Sequence, residues 1–187
     1  MSETDINGNI AWNLKGDRLE KFPNSARSEV TNPLMRIISS KDSFWIIESN
    51  HALDPDSLFK TIYLTGNVIF NKYDNNQINE VKIVTTEAII YPDDEIIETD
   101  KFATIVTPNS KTSGNGVIAN MKKGQIKILS NAKRLSVSDD RTEQLEGERM
   151  LYDLKKKTWV LLKKEMQNDK IKIKDRVKTI LRTRKAE

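Results

Sequence analysis

Apolar and polar residues alternate with a period of two along most of the chain, which is the pattern of a β-strand with one buried face. The stretch TSGNGVIANMKKGQIKIL, residues 112–129, shows the pattern most fully, because a Lys-Lys-Gly turn separates two alternating segments. Its apolar positions are Val117, Ala119 and Met121 before the turn, and Ile126 and Ile128 after it. Two such segments joined by a turn containing glycine are typical of a β-hairpin.

Similar units recur from end to end. The turn-forming stretches FPNSA, DPDS, DNNQ and PDDE separate alternating segments at intervals of roughly 10–15 residues, as in sandwiches and related all-β folds. Asn32-Pro33 interrupts one segment, because proline cannot donate to a strand ladder. The stretch DDRTEQLEGERMLYDLKKK could pass for a helix, but Gly147 lies inside it, and strand, Lys-rich turn, strand describes ERMLYDLKKKTWVLLKKE better. The sequence predicts an all-β protein.

Parity along each predicted strand assigns an inner face. Because side chains alternate strictly, a β-bulge would move the whole set of a strand to the other face. The predicted inner-face residues are Trp12, Leu14, Val30, Trp45, Ile47, Leu64, Val68, Phe70, Val84, Phe102, Val117, Ile126 and Ile128.

Composition agrees with a sheet that has one solvated face, since 37% of the residues are apolar and 31% are charged. The chain contains no cysteine, which excludes thiolate zinc sites, iron–sulfur centres and a cysteine nucleophile. No apolar run approaches the roughly 18 residues of a membrane span, and no signal peptide follows Met1. We therefore expect the chain as given to be soluble.

Charge is distributed unevenly. From Lys122 onward there are 20 Lys and Arg against 10 Asp and Glu, whereas residues 1–121 carry 11 against 17. A basic C-terminal third indicates an anionic partner or a lysine-protected sheet edge. Nucleic acid is disfavoured, because Tyr152 and Trp159 are the only aromatic residues available for base stacking in that third.

Candidate catalytic and metal-binding groups are few. His51 is the single histidine and has no nucleophile motif around it, so we expect it on a polar strand face. Asp93-Asp94-Glu95 lacks the spacing of a calcium loop and is interpreted as a turn. Gly114 and Gly116 precede a strand rather than a helix, so they indicate a bulge or a positive φ, not a phosphate loop. No cofactor or metal is predicted.

The remaining candidate for a functional site is the apolar inner face. Its aliphatic residues either pack against one another or enclose a long apolar ligand, and the pattern is the same in both cases. The residue pattern by itself leaves these alternatives open.

Seven short segments follow one another in a recognisable order along the chain. Together they span about residues 8–135. They are G-x-[LI]-x-[WY]-x-L at Gly8–Leu14, TNP at Thr31–Pro33, W-x-I at Trp45–Ile47, IYLTGNV at Ile62–Val68, IVTTE at Ile83–Glu87, SGNGVIANMKKGQIKIL at Ser113–Leu129 and AKR at Ala132–Arg134. In this order the segments resemble the LptC family, the periplasmic component of lipopolysaccharide export.

The resemblance implies a twisted antiparallel β-jellyroll, open along one side, whose inner face holds the acyl chains of lipopolysaccharide. It implies a non-enzymatic carrier in the periplasm that receives lipid from the inner-membrane ABC transporter complex. The same resemblance implies that lipid passes to LptA-type jellyroll proteins by edge-strand pairing. Members of the family carry an N-terminal membrane helix, which this sequence does not show.

Three segments are expected along the chain: a flexible end over residues 1–7, an LptC-like jellyroll over 8–135, and strands over 136–187 that resemble the last strands of LptA and continue the same jellyroll. Such an extension would cover a sheet edge. We also expect Lys163 and Lys164 to attract lipid A phosphates at the groove mouth.

Two other functions compete with the lipid carrier. A β-scaffold could dock partners by strand addition without binding lipid. An enzyme acting on polysaccharide would need a pair of carboxylates in a cleft, but the acidic residues lie mostly in turns or at outward parity.

Overall fold

The computed structural model describes residues 1–40, 43–138, 141–162 and 178–183, and the regular elements within these ranges are all β-strands. They are β1 (Ser2–Thr4), β2 (Ile10–Lys15), β3 (Arg18–Phe22), β4 (Arg27–Thr31), β5 (Leu34–Ser40), β6 (Ser43–Glu48), β7 (His51–Asp54), β8 (Ile62–Asp74), β9 (Asn79–Tyr91), β10 (Ile96–Thr107), β11 (Ser110–Asn120), β12 (Gln125–Ser138), β13 (Arg141–Gly147), β14 (Arg149–Asp153), β15 (Thr158–Leu162) and β16 (Lys178–Thr183). The all-β prediction is confirmed.

Four-residue turns close most of the hairpins. In the turns at 23–26, 92–95 and 121–124, the N–H of the third or fourth residue donates back to a carbonyl three residues earlier. The last residue of each of these turns, and of the turn at 154–157, has a positive φ; these residues are Ala26, Glu95, Gly124 and Lys157. A type I turn followed by a left-handed residue matches the twist of the two flanking strands. The hairpin predicted over 112–129 is therefore confirmed, with its turn at 121–124.

Five long strands, β8–β12, are shared between two half-sheets. Half-sheet 1 contains β3, β4, β7, one half of each long strand, β14 and β15. Half-sheet 2 contains β1, β2, β5, β6, the other half of each long strand, β13 and β16. The inward side chains of both half-sheets form one buried cluster, so the two half-sheets face each other.

The long strands bend where they pass from one half-sheet to the other, and we call this line the seam. It runs through residues 66–67, 86–87, 100–101, 115–116 and 130–131, where the strand registers shift. Gly66, Asn67, Gly116 and Asn131 have positive φ there. A bulge adds one residue to one strand and bends it, so a row of bulges bends the whole sheet.

Asparagine side chains continue the seam between the shorter strands. Asn32 Nδ2 donates to Asp17 Oδ2 at 2.9 Å, and Asn67 Nδ2 donates to Asn50 Oδ1 at 3.0 Å. The backbone N–H of Asn32 donates to the Asn50 carbonyl at 2.9 Å, which links these two pairs. Asn32 and Asn67 also adopt left-handed φ, a conformation that asparagine tolerates better than most residues.

Two of the predicted inner-face assignments are wrong. Val84 is only half-buried on the outer face, since its neighbours Ile83 and Thr85 occupy the inner one. Phe102 is 59% exposed, and Ala103 takes the inner position instead. In both segments adjacent apolar residues offered two parities. In β9 the inward set changes parity at the seam, between Thr85 and Ala88, whereas in β10 the parity of Ile97 continues unbroken to Ala103.

The first residues also differ from expectation. Residues 2–4, expected to be flexible, pair with β2, and the Met1 amino group donates to the Leu14 carbonyl at 2.8 Å. At the other end, β13 and β14 both pair with β12, and β16 and β15 extend the two half-sheets further. Lys163 and Lys164 lie outside the described residues.

Candidate functional site: the apolar interior

The space between the half-sheets is lined by aliphatic and aromatic side chains from most strands. Eleven of the thirteen residues predicted for the inner face are at most 4% exposed: Trp12, Leu14, Val30, Trp45, Ile47, Leu64, Val68, Phe70, Val117, Ile126 and Ile128. The structure adds further buried residues at the inward positions of the strands, several of which have an apolar neighbour on the outer face. These are Met35, Ile37, Ile62, Ile83, Ile90, Ile97, Ile105, Met150 and Tyr152.

In this structure the interior is closed to water. Trp45, Val68, Phe70, Ile126 and Ile128 are all at 0% exposure. Burial of one such aliphatic or aromatic side chain contributes about 1.5–3 kcal/mol, so the contact between the half-sheets is a major part of the fold's stability. An apolar chain can enter only by replacing part of this contact with its own.

Three buried polar atoms of the interior have no hydrogen-bond partner among the described residues. They are Trp12 Nε1, Trp45 Nε1 and Thr112 Oγ1. Trp12 of β2 and Trp45 of β6 both pair with Ile37 of β5. The two indoles therefore lie on the same face of the sheet, with β5 between them. An unpaired buried donor costs about 1–3 kcal/mol.

The buried threonines at the seam, by contrast, have hydrogen-bond partners. Thr99 Oγ1 donates to the Glu87 carbonyl at 2.6 Å, and the Lys101 N–H donates to Thr99 Oγ1 at 3.1 Å. Thr85 Oγ1 donates to the Phe102 carbonyl at 3.0 Å. These bonds replace ladder bonds that the bulges interrupt, which holds the bend in one geometry.

Polar contacts join the two half-sheets at the side opposite the seam, which we call the mouth. Ser39 Oγ of half-sheet 2 donates to the Met121 carbonyl of half-sheet 1 at 3.3 Å. Lys157, in the β14–β15 turn of half-sheet 1, pairs with Glu80 of half-sheet 2 at 3.0 Å, and Glu80 also pairs with Lys72. Glu80 is the extra residue of a bulge between Lys72 and Tyr73, which turns its carboxylate toward the mouth.

The two carboxylates at the mouth are in opposite electrostatic environments. Burial alone would raise the pKa of Glu80, but the hydrogen bonds and charges of Lys72 and Lys157 outweigh it and hold that pKa below its ordinary value. Burial raises the pKa of Glu95, and the Lys122 charge and the Ser39 hydroxyl offset this only in part. Glu80 therefore favours the closed mouth as an anion, whereas ionised Glu95 costs stability.

A cavity of ≈ 160 Å³ lies at the mouth, next to the Lys157–Glu80 pair. Half-sheet 1 contributes Tyr152, Leu154 and Lys157 to its wall, and the hairpin ends of half-sheet 2 contribute the rest. The opposing residues are Asp74, Ile78, Asn79, Glu80, Val81 and Pro108. The cavity is therefore bounded by both half-sheets, with an apolar inner side and charged groups at its rim.

A second cavity, of ≈ 420 Å³, lies beside the seam. Its lining includes Tyr63, Ile89, Ile118 and Leu129, which are at outward parity and partly exposed. Lys101 pairs with Glu87 at 3.2 Å at its edge. Leu64 of the predicted inner face also reaches its lining, but most of the lining belongs to the outer face and the seam.

The residues considered for catalysis or metal binding lie on a strand pair and in a turn. His51 Nε2 lies 3.2 Å from Glu29 Oε2 across the β4–β7 pair. Asp93 and Asp94 stand in the exposed turn between β9 and β10. Among the described residues no group of three His, Asp or Glu side chains could hold a metal ion. Within those residues there is also no helix of the length and apolarity that crossing a bilayer requires.

Two facing half-sheets with shared, bent strands and a common apolar interior define an antiparallel β-jellyroll. The family model for lipopolysaccharide-assembly, LptC-related proteins matches residues 1–136. The chain belongs to this family and takes part in lipopolysaccharide transport. The match ends within β12, so β13–β16 lie beyond it.

None of the curated proteins matches the chain. Among solved structures it is similar to LptH from Pseudomonas aeruginosa, described as the LptA homologous periplasmic component of the lipopolysaccharide transport device. The identity is 10% and the TM-score 0.35, with 90% of this chain and 93% of that chain covered. A likeness at this level carries no conclusion about this chain.

Proposed function

We propose that the chain is a periplasmic carrier and bridge protein. It accepts lipopolysaccharide from the inner-membrane transporter complex, holds the acyl chains between its half-sheets and passes them toward the outer membrane. The observation that carries the proposal is the single apolar cluster shared by both half-sheets in a member of the LptC-related family. Lipid binding needs neither catalysis nor a cofactor.

The closed interior suits transfer rather than storage. Entry of an acyl chain gains about 0.8 kcal/mol for each methylene buried, but it removes apolar contacts between the half-sheets. The net gain is the difference between two similar terms. A lipid bound with a small net gain can leave for a neighbouring protein with a comparable interior.

Photocrosslinking at adjacent positions of β8 tests the proposal. A small diazirine amino acid at Val68, which is fully buried, is compared with the same probe at Ile69, which points to the outer face. Both residues are β-branched, so the substitutions are matched in shape. We expect crosslinks to lipopolysaccharide from position 68 and not from position 69.

Crosslinking from neither position, in folded protein with excess lipid, would support a packed core without a lipid function. Crosslinking from position 69 alone would place the lipid on the outer face and contradict the proposed interior site. Circular dichroism of both variants verifies that the fold is retained.

Strand pairing supplies the proposed contacts with other transport components. In the described part of the chain, β3 and β15 end half-sheet 1, and β1 and β16 end half-sheet 2, each with a single partner strand. Unpaired N–H and C=O groups on such strands can pair with another chain. LptA-type jellyrolls and the transporter complex are the proposed partners, and β13–β16 are proposed to be LptA-like strands that continue this jellyroll.

A scaffold that docks partners without binding lipid is the second candidate, and the same edge strands favour it. The two functions differ in what they require of the apolar interior. A scaffold needs it only as a core, so replacement of Val68 by a polar residue would affect stability and partner binding together, with no separate effect on lipid.

A further inference from the structure

Five lysines gather on two neighbouring hairpin turns at the mouth. Lys122 and Lys123 stand in the β11–β12 turn, and Lys155, Lys156 and Lys157 follow one another in the β14–β15 turn. The turns are in direct contact, because the Leu154 N–H donates to the Gly124 carbonyl at 2.9 Å. All five lysines are exposed.

Most of this positive charge is uncompensated. Lys157 pairs with Glu80, and the charge of Lys122 acts on Glu95. Among the described residues, Lys123, Lys155 and Lys156 have no carboxylate within 4.0 Å of the ammonium group. The nearby Asp153 carboxylate accepts the backbone N–H groups of Lys155 and Lys156 at 3.0 and 2.9 Å, which fixes the turn.

The five lysines lie beside the mouth cavity, where the polar headgroup of a bound lipid would be placed. The mouth cavity is lined by Tyr152 and Leu154 toward the interior and by Lys157 toward solvent. A lipid with acyl chains between the half-sheets would therefore place its headgroup beside these turns. Concentrated positive charge next to an apolar interior is complementary to an acylated molecule that carries phosphate.

Resting on the proposed function, we infer that the Lys155–Lys156–Lys157 turn, with Lys123 beside it, binds a phosphate ester on the lipid headgroup. On binding, the phosphate displaces the Glu80 carboxylate from Lys157. The displaced carboxylate keeps its second partner, Lys72, so Glu80 is not left as an unpaired buried charge. Exchange of one anion for another at Lys157 thus releases a contact that holds the mouth closed.

The first experiment compares two lipids and two variants. Binding of lipid A with both phosphates and of fully dephosphorylated lipid A is measured for the wild type, for Lys155→Gln/Lys156→Gln and for Lys82→Gln/Lys111→Gln. The control lysines are exposed and flank Val106 on the outer face, so the control loses the same charge elsewhere.

We expect Lys155→Gln/Lys156→Gln to bind phosphorylated lipid about tenfold more weakly, as two exposed charge pairs would give, and dephosphorylated lipid unchanged. The control should match the wild type with both lipids. If the variant keeps the full preference for phosphorylated lipid, the lysine site is wrong. If the wild type binds neither lipid, the proposed function fails instead.

Inorganic phosphate separates a headgroup site from a free-phosphate site. At constant ionic strength, phosphate should compete with phosphorylated lipid in the wild type and not in the variant. If phosphate binds the turn but phosphorylation of the lipid has no effect on its affinity, the site belongs to free phosphate and the headgroup assignment is overturned.

Association kinetics test the exchange at Lys157. With dephosphorylated lipid, Lys157→Gln should associate faster than the wild type, because the contact with Glu80 is gone and no headgroup is needed to displace it. Lys155→Gln/Lys156→Gln should associate at the wild-type rate. An unchanged rate in Lys157→Gln would show that this pair does not hold the mouth closed.

Discussion

Two threonines in this sheet have the same side chain and opposite hydrogen-bonding situations. Thr112 Oγ1 is fully buried with no hydrogen-bond partner among the described residues, whereas Thr99 Oγ1 both donates and accepts. Valine has nearly the same shape as threonine but no polar atom. We expect Thr112→Val to raise the free energy of unfolding by about 1 kcal/mol and Thr99→Val to lower it by about 1–2 kcal/mol. Urea denaturation measures both, and equal destabilisation would show that Thr112 has an acceptor in solution.

The carboxylates at the mouth give a second pair of opposite effects, now dependent on pH. The pKa of Glu80 is lowered in the folded protein, so its contribution is present above the ordinary carboxyl pKa and is lost as pH falls through the lowered value. The pKa of Glu95 is raised, so its ionisation costs stability as pH rises through the range between its ordinary and raised values.

At pH 7 we therefore expect Glu80→Gln to destabilise the fold by about 2 kcal/mol, since Lys72 loses its buried partner. Glu95→Gln should stabilise it. Both differences should shrink toward zero in acid, where the native carboxyls are protonated and resemble glutamine. Stability measured from pH 3 to pH 8 checks this, and a Glu80→Gln effect that persists unchanged in acid would contradict the ion-pair explanation.

At the scale of elements, the seam depends on a close approach at Gly66. Its φ is +75°, and a Cβ there would lie 2.5 Å from Asn50 Oδ1 and 3.0 Å from Asn50 Cβ. Gly8 has a similar φ of +81° with no atom within 4 Å of such a Cβ. We expect Gly8→Ala to cost about 1 kcal/mol from backbone strain alone and Gly66→Ala clearly more. Thermal unfolding of both variants measures the two costs, and their difference is the cost of the contact with Asn50. Equal costs would mean that Asn50 moves aside freely.

Strands and turns could be predicted from the sequence because their signals are local. Alternation and the Lys-Lys-Gly turn define the 112–129 hairpin, and Asn32-Pro33 separates β4 from β5. Parity failed at Val84 and Phe102, where apolar residues or bulges permit both assignments. The predicted role of the inner-face residues in binding lipid stays a prediction.

The contacts at the mouth could not be predicted from the sequence, for a different reason. Lys157 and Glu80 meet only because two half-sheets fold over each other, and neither residue stands in a motif. The charge count did indicate a basic C-terminal third, but it could not show that Lys155 and Lys123 lie on adjacent turns. Contacts between residues far apart in sequence follow from topology, which alternation does not encode.

For the whole molecule, the strands after the LptC-related match bear on assembly. β13–β16 extend both half-sheets beyond β12, whose two halves would otherwise be edges. We expect fewer end-to-end oligomers than LptA-type proteins form, because an open β12 is a longer template than β15 or β16. Light scattering after gel filtration over a range of concentrations tests this. A ladder of sizes that grows with concentration would contradict it.

Under the proposed carrier function, the seam would also limit the motion by which a ligand enters. Five continuous strands cross it, so separation of the half-sheets at the mouth bends those strands and leaves their interstrand ladders paired. Opening would then cost side-chain contacts and the bending of the five strands, and both costs would favour return to the closed form once a ligand has left. After each cycle of loading and release, the bent strands would thus return to the closed form elastically. The protein would need neither refolding nor an energy source of its own.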